Sequence, residues 1–162
     1  MMNTSKKISL MIIFAVLYTV GVIALAPISF SIFQVRVADA LLALSIIFGW
    51  PAIVGISLGT IISNFFGGLG VIDVIGGTAA NFIATLLAWK IGKKTVKGSW
   101  VLALIAEILV VTIVVGTYLS YLFHMPIEIG LLGVLIGSII AIGILGYVLL
   151  TALTRLKILD KL

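Results

Sequence analysis

The segment WVLALIAEILVVTIVVGTYLSYLF, residues 100–123, carries a single charged side chain, Glu107. As one helix it would rise about 36 Å at 1.5 Å per residue, enough to cross a hydrocarbon core of about 30 Å. A helix on the surface of a soluble domain needs a polar face, and this segment has none. It is a membrane span, and the rest of the chain must be read as the rest of a membrane protein. Composition agrees. Of 162 residues, 63% are hydrophobic and 9% charged, with a mean hydropathy of +1.43; soluble domains hold roughly 45–50% apolar and 25% charged residues. No residues remain for a separate soluble domain, so residues 1–162 form one membrane domain.

The other apolar runs are bounded by breakers. Residues 8–26 make a first span, ended by Pro27. The run lacks an A-x-A-like cleavage site, so it reads as a retained helix and not as a removed signal peptide. Residues 37–48 are apolar but only about a dozen long. Gly49-Trp50-Pro51 breaks them from a second short piece, residues 52–66, because proline disfavours helix just before itself and favours a first turn. That pair reads as two short helices, one broken helix or a re-entrant hairpin. After the GGLG turn at 67–70, residues 71–91, 100–123 and 127–153 are full spans. The expected fold is an all-α integral membrane protein, a compact bundle of six transmembrane helices.

Basic residues orient the bundle. Lys6 and Lys7, Lys90, Lys93, Lys94 and Lys97, and Arg155, Lys157 and Lys161 all fall on one side of a six-span chain. The positive-inside bias makes that side, and both termini, cytoplasmic. It also accounts for the net charge of +5 without a nucleic-acid partner. The tenth basic residue, Arg36, is alone on the outer side.

Four of the five acids, Asp39, Asp73, Glu107 and Glu128, then lie in or near the membrane, while Asp160 is in the cytoplasmic tail. Ionisable groups within spans are costly and mark functional sites by default. Local structural roles compete. Arg36 and Asp39 are spaced to pair at i, i+3 near a helix start. Asp73 can cap the helix after the Gly-rich turn. His124 suits an interfacial turn, Glu128 a helix dipole, and Asn81 a bond to a neighbouring helix. Glu107, about 12 Å into its span at 1.5 Å per residue, must face the interior, be protonated or have a partner. Small residues recur four apart, as at Gly55 and Gly59 or Gly133 and Gly137, a spacing that suits close helix packing. Ala15 and Thr19, on a face with Met11, have the same spacing and read as a docking face for another protein.

No phosphate loop, HExxH pair or metal-ligand spacing is present. The chain is expected not to be an enzyme and to need no cofactor; any nucleotide energy must come from partners.

The segment FQVRVADALLAL resembles a stretch of the queuosine-precursor (QueT-like) family of substrate-binding S components of energy-coupling factor transporters. Gln34, Arg36, Ala40 and Leu41 match that stretch, with Asp39 in place of the family's Glu. ISNFFGGLGVIDVIGGTAANFIA is similar through Asn64, Gly70, Asp73, Gly77 and Thr78, and AVLYT, residues 15–19, also fits. Gly137-Ser138 departs from an expected Gly-Glu pair. The resemblance implies a multi-pass cell-membrane protein that binds a vitamin or nucleobase in an outward pocket and joins a transmembrane coupling subunit and two ATPase subunits. It also implies docking through the small-residue face with Ala15 and Thr19. For a 7-deazaguanine, a carboxylate (Asp73, Asp39 or Glu107) would read the two ring-edge donors. Arg36, Gln34 and Asn64 would be polar partners, and Phe30, Phe33, Phe65 or Tyr121 stacking platforms. The alternatives are an S component for another vitamin, or a stand-alone oligomeric channel or carrier with Glu107 as its proton site. A small membrane enzyme or scaffold is a third reading, without a motif to support it.

Overall fold

The computed structural model describes residues 3–30, 34–93 and 98–156. Phe33, Lys94, Lys97 and the tail with Lys157, Asp160 and Lys161 lie outside the described residues. All regular structure among those described is helical. The helices are α1 (Thr4–Ala24), α2 (Val37–Phe48), α3 (Trp50–Gly67), α4 (Val71–Gly92), α5 (Ser99–Leu122) and α6 (Ile127–Arg155). A single helical turn, Ala26–Ser29, follows α1.

Five of these, all but α2, are long and apolar enough to cross a membrane. The second of the two short pieces expected from sequence is thus a full-length helix of 18 residues. Trp50 and Pro51 belong to its first turn, where proline's missing N–H would have had no helical partner anyway. Pro27 likewise opens its own turn, and α1 ends earlier than expected, at Ala24. At its other end α1 begins at Thr4, so Lys6 and Lys7 are helical.

The arrangement explains why α2 is apolar yet short. Residues Val37–Leu44 wind as a 3₁₀ helix and Ser45–Phe48 as an α-helix. At about 2.0 and 1.5 Å per residue they rise about 22 Å. The long helices form an arc in the order α1, α3, α4, α5, α6, and α2 touches every one of them. Ala38, Leu42, Ala43, Leu44 and Ile46 of α2 are buried. An element enclosed on all sides has no use for a polar face. Against it, residues Ile139–Gly146 of α6 widen into π-helical turns.

The outer surface is as apolar as the core. Ile12, Ile13, Val16, Leu17 and Val20 of α1 are exposed, a pattern that lipid tolerates because its tails are as apolar as these side chains. The opposite face of α1 packs on α3. A Cβ on Gly59 would stand 2.8 Å from the Ala15 carbonyl oxygen, and Thr19 Oγ1 donates to the Gly59 carbonyl at 3.2 Å. The small-residue face read as free for another protein therefore has a partner within the chain.

Candidate functional site

The linker after α1, the end of α3 and the starts of α2 and α4 bring these polar residues together. Gln34, Arg36, Asp39, Asn64 and Asp73 are all buried, Asp39 the most exposed of them at 6%. None is a surface charge in contact with headgroups.

Arg36 and Asp39 do not form the i, i+3 pair that their spacing allows. The Arg36 ion pair is with Asp73, Nη2 to Oδ1 at 3.7 Å, while Arg36 Nε donates to the Ser29 carbonyl at 3.4 Å. Its guanidinium lies 5.3 Å from the Phe30 ring centroid. Asp73 is not a cap either. It is the third residue of α4, whose capping position is Gly70 and makes no side-chain bond. The helix dipole favours a carboxylate there, and its Oδ1 accepts from Tyr118 at 2.8 Å. Asn64, at the end of α3, donates to the Asp73 backbone carbonyl at 2.8 Å.

Asp39 joins a second network. Tyr18 of α1 donates to Asp39 Oδ1 at 2.6 Å. Asn81 of α4 donates to the Tyr18 oxygen at 2.8 Å and to Thr60 Oγ1 of α3 at 2.9 Å. Asn81 thus ties three long helices to the central one, as the interhelical reading expects.

Gly137 of α6 closes the site from behind, since a Cβ there would collide with the Gln34 carbonyl. The neighbouring Ser138 is buried, where the resemblance leads one to expect a glutamate.

The remaining candidates are elsewhere. Glu107 is fully buried and accepts from Ser45 Oγ of α2 at 3.3 Å. It sits about 16 Å along α5 from Tyr118, by the helical rise, and so does not meet the Arg36–Asp73 pair. His124 and Glu128 are exposed, His124 with a positive φ of 51° in the turn before α6. Phe65 and Tyr121 are 75% and 70% exposed; their rings face outward and stack on nothing in the site. Of the proposed platforms described, Phe30 touches the Arg36 guanidinium, and Phe65 lines a cleft that leads to the site.

Several buried polar atoms here have no hydrogen-bond partner among the described residues: Gln34 Nε2, Arg36 Nη2, Asn64 Oδ1 and Asp73 Oδ2, with Glu107 Oε2 deeper in. Such atoms are rare in folded proteins and each calls for a reason. A cleft of about 260 Å³, lined by Asn64, Phe65, Gly68, Gly70, Val71 and Val74, reaches this set at Asn64. No group of ligating side chains fit for a metal occurs among the described residues.

Sequence reading missed Tyr118 and assigned no site role to Tyr18. Tyr18 lies within the quoted AVLYT stretch and had a signal. Tyr118 had none that separates it from Tyr121, three residues on and facing out.

Five membrane-length apolar helices around a buried polar set define a multi-pass membrane protein. The family model described as QueT transporter matches residues 8–155, and the chain belongs to that family. No curated protein and no solved structure matches it.

Proposed function

We propose that the chain is the substrate-binding S component of an energy-coupling factor importer, taking up a queuosine precursor or a related 7-deazaguanine. All six helices enter the membrane, with both termini cytoplasmic and the Arg36–Asp73 set facing outward. A transmembrane coupling subunit and two ATPases supply the energy, and the chain itself catalyses nothing.

The observation that carries this reading is the chemical sorting of the atoms that have no hydrogen bond among the described residues. Gln34 Nε2 and Arg36 Nη2 are donors, while Asp73 Oδ2 and Asn64 Oδ1 are acceptors. A guanine-like edge presents the complement, a carbonyl oxygen beside two N–H groups. Docking it would satisfy groups that are otherwise buried at a cost. Asp73 reads the ring-edge donors, Arg36 and Gln34 the carbonyl, Asn64 completes the edge, and Asp39, held by Tyr18, flanks it.

Small molecules released from the purified protein and identified by mass spectrometry test the ligand. A 7-deazaguanine at near-stoichiometric yield supports the reading; a different vitamin would keep the class and replace the substrate. Co-purification with ATPases tests the assembly.

Glu107 favours a second reading, a stand-alone proton-coupled carrier. It is a fully buried acid with one oxygen unpartnered, as a proton site would be. Uptake by the chain alone, lost in Glu107→Gln, would decide for it.

A further inference from the structure

The seam between α3 and α4 carries a groove on the lipid-facing side of the bundle. Its volume is about 420 Å³, and Ser57, Ile61, Ile75, Thr78, Ala79 and Phe82 line it. The two hydroxyls are already used. Ser57 donates to the Ile53 carbonyl at 2.8 Å and Thr78 to the Val74 carbonyl at 2.6 Å. With both bound to their own helices, the groove offers a guest hydrocarbon surface.

The groove continues to one end of the bundle. Residues three, four or seven apart share a helix face. Ser57 and Ile61 therefore share their face with Trp50, and Ile75, Ala79 and Phe82 share theirs with Trp89. The Trp50 ring centroid lies 6.5 Å from that of Phe82 and 5.9 Å from that of Trp89. Trp89 is wedged at the joint of α2 and α3, where a Cβ on Gly49 would stand 2.8 Å from its Nε1. Lys93, just past α4, holds its ammonium 4.5 Å from the Trp89 ring centroid. It has no ion pair among the described residues, and Lys90, one turn back, is exposed. Of the described acids, Asp39, Asp73 and Glu107 are buried and Glu128 opens α6 at the other end. From Ile61 to Trp50 the stripe measures about 17 Å by the helical rise, close to half of a hydrocarbon core of about 30 Å.

We infer that this seam binds an anionic phospholipid. One acyl chain lies in the groove, Lys93 and Lys90 meet the phosphate, and Trp50 and Trp89 flank the boundary between them. Tryptophan favours the headgroup level, and basic pockets between spanning helices bind anionic headgroups. A free phosphate would use the lysines and leave the groove empty. An apolar helix of another chain would fill the groove and leave the lysines without a counter-charge. The proposed orientation puts this end at the cytoplasmic leaflet, which carries anionic lipid. The lipid site is independent of whatever binds at the Arg36–Asp73 set.

Native mass spectrometry of the full-length purified protein tests this, with phosphatidylglycerol and phosphatidylcholine of identical acyl chains as probes. The first phosphatidylglycerol should bind at least about fivefold tighter than phosphatidylcholine, the scale of one basic residue near a charged membrane surface. Lys93→Gln should remove most of that preference and Lys93→Arg should keep it, since either cation can sit over an indole. Arg155→Gln, at the end of α6, should leave it unchanged. Ala79→Phe, which fills the groove, should weaken the binding of both lipids. Equal binding of the two lipids in the wild type, an unchanged preference in Lys93→Gln, an equal loss in Arg155→Gln or undiminished binding in Ala79→Phe each overturns the inference. So does competition by glycerol phosphate, which would make the ligand a free phosphate. A dimer that Ala79→Phe abolishes would make a second copy the occupant, and overturns it too. The wild-type comparison decides even where a variant fails to fold.

Discussion

At the scale of single residues, the site is a set of buried polar groups with too few hydrogen-bond partners among the described residues. The sequence exposed its members but not their pairing. Arg36 and Asp73 stood out because charge is rare in such a chain. That they meet follows from folding the post-α1 linker onto the start of α4, which no local pattern encodes. The spacing of Arg36 and Asp39 pointed to the wrong partner, because Asp39 turns to Tyr18. Aromatic roles were illegible for a related reason. Whether a ring faces lipid or site depends on the rotation of its helix, and Phe30, Phe65, Tyr118 and Tyr121 look alike in the sequence. Tyr118→Phe removes one hydrogen bond to Asp73 and should weaken ligand binding by about tenfold, the scale of a 1–1.5 kcal/mol bond. Titration calorimetry checks it, and an unchanged affinity would remove Tyr118 from the site. Glu107→Gln keeps an acceptor for Ser45 and lies away from the Arg36–Asp73 pair. It should leave ligand affinity within about threefold, since it removes no hydrogen bond of the Arg36–Asp73 pair.

At the scale of elements, the three long C-terminal spans were readable to within a few residues, because length and hydropathy alone define them. The pair around Trp50-Pro51 was not. Proline was read as a separator, and here it starts a helix. The centrality of α2 was equally hidden: a dozen apolar residues look the same in a half-span and in a helix enclosed by five others. Packing between α1 and α3 depends on a hydrogen atom at Gly59. Gly59→Val would press on the Ala15 carbonyl and the Tyr18 side chain. Overpacking of this kind costs about 1–3 kcal/mol, so the melting temperature in detergent should fall by several degrees in a thermal-shift assay. Because Tyr18 holds Asp39, the same variant should also bind ligand more weakly. A stable variant with full affinity would show that this contact is dispensable.

At the scale of the whole molecule, the family and the membrane class were both legible, since each rests on features spread along most of the chain. Orientation was read from basic residues, of which Lys6, Lys7, Lys90 and Arg155 lie near helix ends. The chain has no cysteine, which permits a direct check. A single cysteine at position 97 should react with membrane-impermeant reagent only from the cytoplasmic side, and one at position 68 only from outside. The reverse pattern would invert the bundle and put the Arg36–Asp73 set on the wrong face for uptake.

The central claim is that the buried polar set is completed by a ligand. Equilibrium binding of a 7-deazaguanine to purified wild-type, Arg36→Ala and Asp73→Asn protein tests it most directly. Two charge-assisted bonds at about 1.5–3 kcal/mol each predict tight wild-type binding and a loss of at least about tenfold in each variant, with both variants still monodisperse. Wild-type affinity retained in both well-folded variants would contradict the account.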